Sequence, residues 1–523
     1  MPAGVVETVC GRVRGTQQNG VWTFKGVPYG DDTGGPNRFR PALPPRPWTG
    51  VRDCLTYGPS CPQMTVEQMT GTPMPPEIEQ MMGVLGTEAS MDEDCLVLNV
   101  WTPTAKAESK LPVLVWLHGG GMNTGSASWP LYDFTNLARH RNVVVIGVNH
   151  RLGILGFLDL SAIGEEFADS GNVGMLDVAS ALAWVGQNVA GFGGDPDNVT
   201  VFGESGGGTK TTTLLAMPGA EGLFHKAFPM SGASLAAQQP EVARTTAELA
   251  LERLDVEADI KRLETLEVGR FIDAELALQG SGLLGRGGRR FGPVLGPSLP
   301  EHPERALQRG ASNDIPVVSG CTADEMLAFL AADPELWTLS EEGLRDRVGT
   351  LLGEDTDSIL AGYRTVRPDD SPMSLLVAIM TDATMRVPHI RMTEARVQAG
   401  GAPIWMYLFA WGQADATGRR WSAHGSDMPY FFDNVDKASI AVGSHADELV
   451  AAMSGALASL AYTGDPNHDD LPEWPTYAPK DRQTMMFDTP STVVSDPFGA
   501  ERLLWQEVPL GGLLTDEASG ESG

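Results

Sequence analysis

Two runs of residues limit the fold of this 523-residue chain more than anything else in it. Residues 111–117 (Leu-Pro-Val-Leu-Val-Trp-Leu) and 143–148 (Val-Val-Val-Ile-Gly-Val) are apolar almost without interruption. A strand with one face in water alternates apolar and polar residues, so strands like these are covered on both faces, the habit of a parallel sheet between layers of helices. Parallel neighbours need long crossovers, and the pattern supplies them. Residues 176–189 read as a helix that ends at the break Gly191-Phe-Gly-Gly-Asp-Pro. Residues 199–202 (Val-Thr-Val-Phe) read as another buried strand, and 315–319 and 403–410 as two more. The segments 236–310 and 326–400 carry helical patterns broken by Pro and Gly, for instance over 242–254 and 340–352, and resemble insertions that cap a sheet. With 42% apolar residues there is material for a large core. The expectation is one α/β domain over 1–510, followed by a glycine-rich polar tail, 511–523, that is disordered.

The strand 199–202 runs into Gly203-Glu-Ser-Gly-Gly-Gly-Thr-Lys, and 210–217 has the residues of a helix start. Ser205 stands at the corner. A serine on so sharp a strand-to-helix turn is held in a strained backbone conformation with its hydroxyl exposed, and the residues two positions away must be small. Gly203 and Gly207 meet that condition. A hydroxyl is a weak nucleophile at neutral pH, so Ser205 needs a histidine base, and the histidine needs a carboxylate to fix its tautomer and stabilise its charge. On such a sheet the chain order is Ser, acid, His. Of nine histidines, His118, His140 and His150 then come too early. His225 follows the corner too closely, His302 precedes the last two strands, His389 lies in a helical pattern, and His445 and His468 sit in polar segments farther on. His424 remains, in the small-residue loop Trp-Ser-Ala-His-Gly-Ser-Asp after 403–410. The acid should follow the preceding strand, where Asp324 and Glu325 stand side by side and spacing does not choose between them. Directly after 111–117 come His118, Gly119, Gly120 and Gly121. Three glycines let backbone N–H groups turn outward without hindrance, as an oxyanion hole requires.

Composition excludes several other classes. The 37 Lys plus Arg against 67 Asp plus Glu give a net charge of -30, which repels nucleic acid and anionic membranes and is ordinary for a strongly solvated surface. Five cysteines lack the paired spacing of a zinc site, so neither metal nor cofactor is expected. No run of about 18 apolar residues is present and the N-terminal residues lack a signal-peptide pattern, so the expected location is cytoplasmic, without a membrane span. The 33 residues between Cys61 and Cys95 hold six methionines, Met64, Met69, Met74, Met81, Met82 and Met91. Methionine serves both as core filler and at pliable binding surfaces, and the segment reads either as core or as a flap over a pocket.

Taken together, Phe24-Lys-Gly-Val-Pro-Tyr, Glu93-Asp-Cys-Leu-Val-Leu-Asn-Val-Trp, His118-Gly-Gly-Gly, Asn149-His-Arg-Leu-Gly, Gly171-Asn-Val-Gly-Met-Leu-Asp, Phe192-Gly-Gly-Asp-Pro, Phe202-Gly-Glu-Ser, His424-Gly-Ser-Asp-Met-Pro-Tyr and Thr463-Gly-Asp-Pro-Asn resemble the motifs of type-B carboxylesterases and lipases. The likeness spans nearly the whole chain. It implies an α/β-hydrolase fold, a mostly parallel sheet flanked by helices with helical insertions over the active site. It also implies a serine carboxylesterase with Ser205 as nucleophile, His424 as base and Glu325 as acid, acting on small-molecule esters. An amidase or carbamate hydrolase with the same residues, or a non-catalytic binding relative, are the alternatives. Gly120, Gly121 and Gly206 would supply the oxyanion-hole N–H groups. The family often links the cysteines matching Cys61 and Cys95, a bond that a cytosolic protein would keep reduced. Two departures stand out: Gly206 where alanine is usual, which should loosen the turn and add space, and Met326 where glycine is common. No tryptophan lies between Cys61 and Cys95, so choline-ester specificity is not expected. Members with three loop glycines tend to accept esters of bulky, even tertiary, alcohols.

Overall fold

The computed structural model describes residues 4–510, except 66–67, 69–89, 257–258, 279–290, 332, 415–417 and 438–444. The tail 511–523 and four of the methionines, Met69, Met74, Met81 and Met82, lie outside the described residues. Met64 is buried, whereas Met91 is 45% exposed.

The strand read at 111–117 is Leu111–Leu117, and its neighbour is Val144–Val148, every residue of both buried. They belong to an eleven-stranded sheet whose order is Thr492–Ser495, Gln483–Phe487, Ile404–Phe409, Val317–Thr322, Lys226–Met230, Gly194–Glu204, Leu111–Leu117, Val144–Val148, Val97–Thr102, Val21–Pro28 and Thr16–Gln18. The strands from Gln483–Phe487 to Val144–Val148 pair in parallel throughout. Antiparallel strands complete both edges. A small sheet of Val5–Thr8, Gly11–Arg14 and Val51–Asp53 stands apart.

Two-sided burial follows from the pleat, which sends successive side chains to opposite faces. Val113, Val115 and Leu117 join one apolar cluster with Val178, Ala181 and Val185 of the helix Val173–Asn188. Leu114 and Trp116 face the other way, into a cluster with Leu449, Met453 and Leu457 of the helix Ala446–Thr463. Trp116 packs there against Tyr132, Phe202 and Phe432 at ring separations of 5.0, 5.0 and 4.8 Å.

The sheet order locates the site before any side chain is considered. From Leu111–Leu117 the chain moves outward to Val144–Val148 and then returns to place Gly194–Glu204 on the other side of Leu111–Leu117. Crossovers leave in opposite directions there, which opens a crevice at the carboxyl ends of the two strands. One of those ends carries His118 to Gly121; the other carries Ser205.

Both segments, 236–310 and 326–400, contain helices among their described residues. The first holds Pro240–Leu254, Ile260–Thr265, Val268–Leu278 and Pro303–Gln308. The second holds Leu327–Leu330, Glu341–Leu352, Thr356–Val366, Pro372–Thr381 and Val387–Ala399. Capping explains one boundary: Ser340 precedes the helix at Glu341 because its hydroxyl accepts from the Gly343 N–H at 3.1 Å. Among the described residues no helix is long and apolar enough to cross a membrane.

Candidate active site

Ser205 follows directly on the strand Gly194–Glu204, and the helix Gly206–Leu214 starts at the next residue, four positions earlier than the residue pattern suggests. Glycines are poor helix formers, but here close packing requires them. A Cβ on Gly207 would lie 1.9 Å from the Leu117 carbonyl oxygen. Ser205 has φ 57° and ψ -122°, a conformation that costs of order 1–3 kcal/mol and persists only where surroundings impose it. The Ser205 N–H donates to Met230 O at 2.9 Å and its carbonyl accepts from the Thr209 N–H at 3.0 Å.

The residues expected to assist Ser205 meet from distant parts of the chain. His424 Nδ1 is hydrogen-bonded to Glu325 Oε2, and Glu325 Oε1 accepts from the Thr322 N–H at 2.6 Å. Asp324 is committed elsewhere. Its Oδ2 accepts from the Ser422 N–H at 3.0 Å and its own N–H donates to Ser422 O at 2.9 Å. Of the two neighbouring carboxylates, Glu325 is the one on the imidazole. Phe329 lies against the other side of that ring, centroids 4.8 Å apart.

Across the crevice, the glycine loop turns its carbonyls away. His118 O accepts from Lys210 Nζ at 3.0 Å, Gly119 O from His118 Nδ1 at 2.8 Å and Gly120 O from the Thr124 N–H at 3.0 Å. The N–H groups of Gly120, Gly121 and Gly206 donate to no described residue. A helix N-terminus and a loop with free N–H groups therefore converge beside a strained serine, an arrangement suited to holding a developing negative charge.

The sequence pattern of the Carboxylesterase family matches residues 2–504. This chain belongs to the carboxylesterase family. It is 36% identical to the para-nitrobenzyl esterase of Bacillus subtilis (strain 168), over 95% of this chain and 97% of that one. It is 34% identical to the phenmedipham hydrolase of Pseudarthrobacter oxydans, over 95% and 96%. Among solved structures, the carboxylesterase of Geobacillus stearothermophilus at pH 6.2 superposes with a TM-score of 0.83 at 36% identity, covering 96% of this chain and 100% of that one. The protein is a carboxylic ester hydrolase of the α/β-hydrolase fold.

In this carboxylesterase the departure at Gly206 does not add space. A Cβ there would sit 2.1 Å from the Gly121 carbonyl oxygen, so the missing methyl lets the glycine loop close onto the serine turn. Gly120, at φ +89°, is likewise packed: its Cβ would lie 2.4 Å from Thr124 O. Of the three loop glycines, Gly121 alone (φ +62°) has nothing nearer than 3.9 Å to its Cβ position. Any room the loop leaves beside a substrate is at Gly121.

Glu204 is the residue that sequence reasoning passed over. Its Oε1 lies 3.1 Å from His424 Nε2, while Ser205 Oγ makes no hydrogen bond to a described residue. The structure therefore joins Glu325 to His424 and puts Glu204, not Ser205, against the far ring nitrogen. The available signal was a carboxylate at the end of a buried strand, next to the serine. Burial raises the Glu204 carboxyl to about 8, opposed by His424 and aided by Asp427 and Glu325. Burial and then Glu325 raise Asp427 to about 7, its Oδ2 accepting from the Tyr407 hydroxyl at 2.9 Å. Burial alone would push Glu325 up, but the His424 charge and hydrogen bond hold it below the usual carboxylate range. Burial works against the charged imidazole, yet Glu204 and Glu325 outweigh it and hold His424 at about 9.

Cys61 and Cys95 are buried thiols and not joined as a disulfide; Cys61 Sγ accepts from the Leu152 N–H at 3.3 Å.

Proposed function

We propose that this carboxylesterase hydrolyses small-molecule esters with Ser205 as nucleophile, His424 as general base and acid, and Glu325 as the carboxylate that orients it. The reading is supported by the Glu325–His424 hydrogen bond, by the strained backbone of Ser205, which follows the Glu204 that lies 3.1 Å from His424 Nε2, and by the free N–H groups of Gly120, Gly121 and Gly206. Ser205 Oγ attacks the ester carbonyl and its proton passes to His424 Nε2. The oxyanion is held by the N–H groups of Gly120, Gly121 and Gly206. Collapse expels the alcohol, which takes the proton from His424 and leaves an acyl-enzyme. Water then repeats the sequence and releases the acid. A stopped-flow experiment with p-nitrophenyl acetate tests this directly. The expected result is a burst of about one p-nitrophenol per enzyme before the steady rate; turnover through a ternary complex, with no acyl-enzyme under any rate-limiting condition, contradicts it.

The alcohol side of the pocket is bounded by the glycine loop, with its room at Gly121. Esters of bulky alcohols, tert-butyl among them, belong to the substrate range. Gly121→Ala is expected to cut tert-butyl ester hydrolysis at least about tenfold more than ethyl ester hydrolysis, since one methyl fills the open position. Gly120→Ala displaces the loop from Thr124 and should slow both esters alike. The comparison of kcat/KM for the two esters in each variant checks this, and equal losses in Gly121→Ala would count against it.

Protonation sets the low-pH limit. A general base must be neutral, so kcat/KM rises with pH through the His424 pKa, which Glu204 and Glu325 hold above the ordinary histidine value. Glu204→Gln removes the first of those two charges. The acid limb of the pH–rate profile should move to lower pH; a limb that stays in place would show that Glu204 exerts no pull on the base.

A further inference from the structure

Lys210 is wholly buried in the helix that follows Ser205, and Nζ donates to the His118 carbonyl at 3.0 Å. No carboxylate among the described residues pairs with it. A carbonyl can be satisfied by any neutral donor, whereas an ammonium buried without a counter-ion is costly. His118 immediately precedes the glycine loop, where a Cβ on Gly119 would lie 3.4 Å from Ser205 Cβ, so this charge is fixed to the segment that carries the free Gly120 and Gly121 N–H groups.

We infer that Lys210 is an electrostatic positioning residue of the oxyanion hole: fixed behind the loop by the His118 carbonyl, its ammonium is the counter-charge to the oxyanion that forms at Gly120, Gly121 and Gly206. The inference rests on the reading of Ser205 as nucleophile. It explains why the cation pairs with no carboxylate among the described residues, since its counter-charge exists only while the tetrahedral species does. Two Cα steps separate His118 from Gly120, at most about 7.6 Å, which puts the charge within roughly 10 Å of the hole. At that separation and an effective dielectric constant of about 20, the attraction corresponds to roughly a tenfold effect on rate.

The surroundings allow Lys210 to respond. Burial lowers its pKa to about 7. The groups facing it from the neighbouring strand ends are His118 and His150, whose rings stack 4.9 Å apart. Burial and the Lys210 charge keep both neutral, His118 at about 3 and His150 well below its ordinary value. Arg151 is neutralised by Asp177 of the helix Val173–Asn188, at 2.7 Å. On the third strand end, Glu204 Oε2 comes within 3.1 Å of the Gly119 Cβ position, while its Oε1 is engaged with His424 Nε2 at 3.1 Å.

Linkage makes the effect reciprocal: if the ammonium stabilises the oxyanion tenfold, the oxyanion must raise the Lys210 pKa by about one unit. Wild-type protein labelled with nitrogen-15 at lysine Nζ is titrated by NMR, free and as the adduct of a trifluoromethyl ketone ester analogue. In the adduct a bond forms between Ser205 Oγ and the ketone carbon, the carbonyl π pair becomes the oxyanion, and the hydroxyl proton passes to His424. The lysine resonance that titrates near neutral pH is expected to shift its midpoint upward by about one unit or more on adduct formation. A midpoint that stays or falls overturns the role of Lys210. No adduct at Ser205 overturns the nucleophile reading and this inference with it.

Kinetics gives a second test. Lys210→Gln keeps a donor for His118 O without the charge, and should lower kcat about tenfold at pH 6 with KM unchanged. The deficit should close above about pH 8, where the wild-type amine has lost its proton. A purely structural lysine would leave a deficit that does not vary with pH, and that result overturns the inference. Should Lys210→Gln fail to fold, the wild-type titration decides alone.

Discussion

Ser205→Ala is expected to lower ester turnover by at least about a thousandfold while leaving the protein folded. The change removes one hydroxyl that makes no hydrogen bond to a described residue, so no buried partner is orphaned. Alanine must still adopt φ 57°, but the backbone bonds to Met230 and Thr209 that impose it are untouched. What disappears is the atom that, in the proposed mechanism, forms the acyl-enzyme. The residual rate comes from water attacking an ester held against the Gly120, Gly121 and Gly206 N–H groups. Steady-state kinetics with p-nitrophenyl butyrate, alongside a thermal melt, checks both halves. Retention of more than about a tenth of wild-type kcat would remove Ser205 from the mechanism.

Glu325→Gln should cost on the order of a thousandfold in kcat, and Asp324→Asn less than about tenfold. Both Glu325 oxygens are accepting hydrogen bonds, one from His424 Nδ1 and the other from the Thr322 N–H. An amide has one acceptor for those two donors, so either the imidazole takes the wrong tautomer or the Thr322 N–H is left unpaired. The imidazolium formed during attack also loses its neighbouring negative charge. Asp324, by contrast, serves the Ser422 N–H, which the carbonyl of an asparagine can still satisfy. Measured kcat values for the two variants in the reverse order would assign the acid to Asp324.

The features legible in the sequence are those set by local pattern. The strand Leu111–Leu117 has the bounds its apolar run indicates, because burial on both faces leaves no alternation to blur its ends. The serine turn was legible from glycine spacing, and the order of strands pointed to the two loops whose Glu325 and His424 the fold brings into contact. Contacts made across the crevice were not. The helix after Ser205 begins at Gly206 because Gly207 must lie against Leu117 O, a contact between segments about 90 residues apart. Gly206 reads as slack in the sequence, yet in the fold it is where the Gly121 carbonyl closes in. Glu204 and Lys210 look like ordinary polar residues on either side of a turn. Their chemistry arises from complete burial beside His424 and His118, which only the assembled sheet imposes.

In the proposed mechanism one atom, Ser205 Oγ, attacks with His424 as its base. The most direct measurement treats the protein with a fluorophosphonate ester, which bonds irreversibly to an activated serine, and maps the adduct by peptide mass spectrometry. The expected result is one label per chain, on the peptide containing Ser205, with labelling slowed at least about a hundredfold in His424→Ala. Full inactivation with the label on any other residue, or hydrolysis that continues after Ser205 is fully labelled, would contradict it.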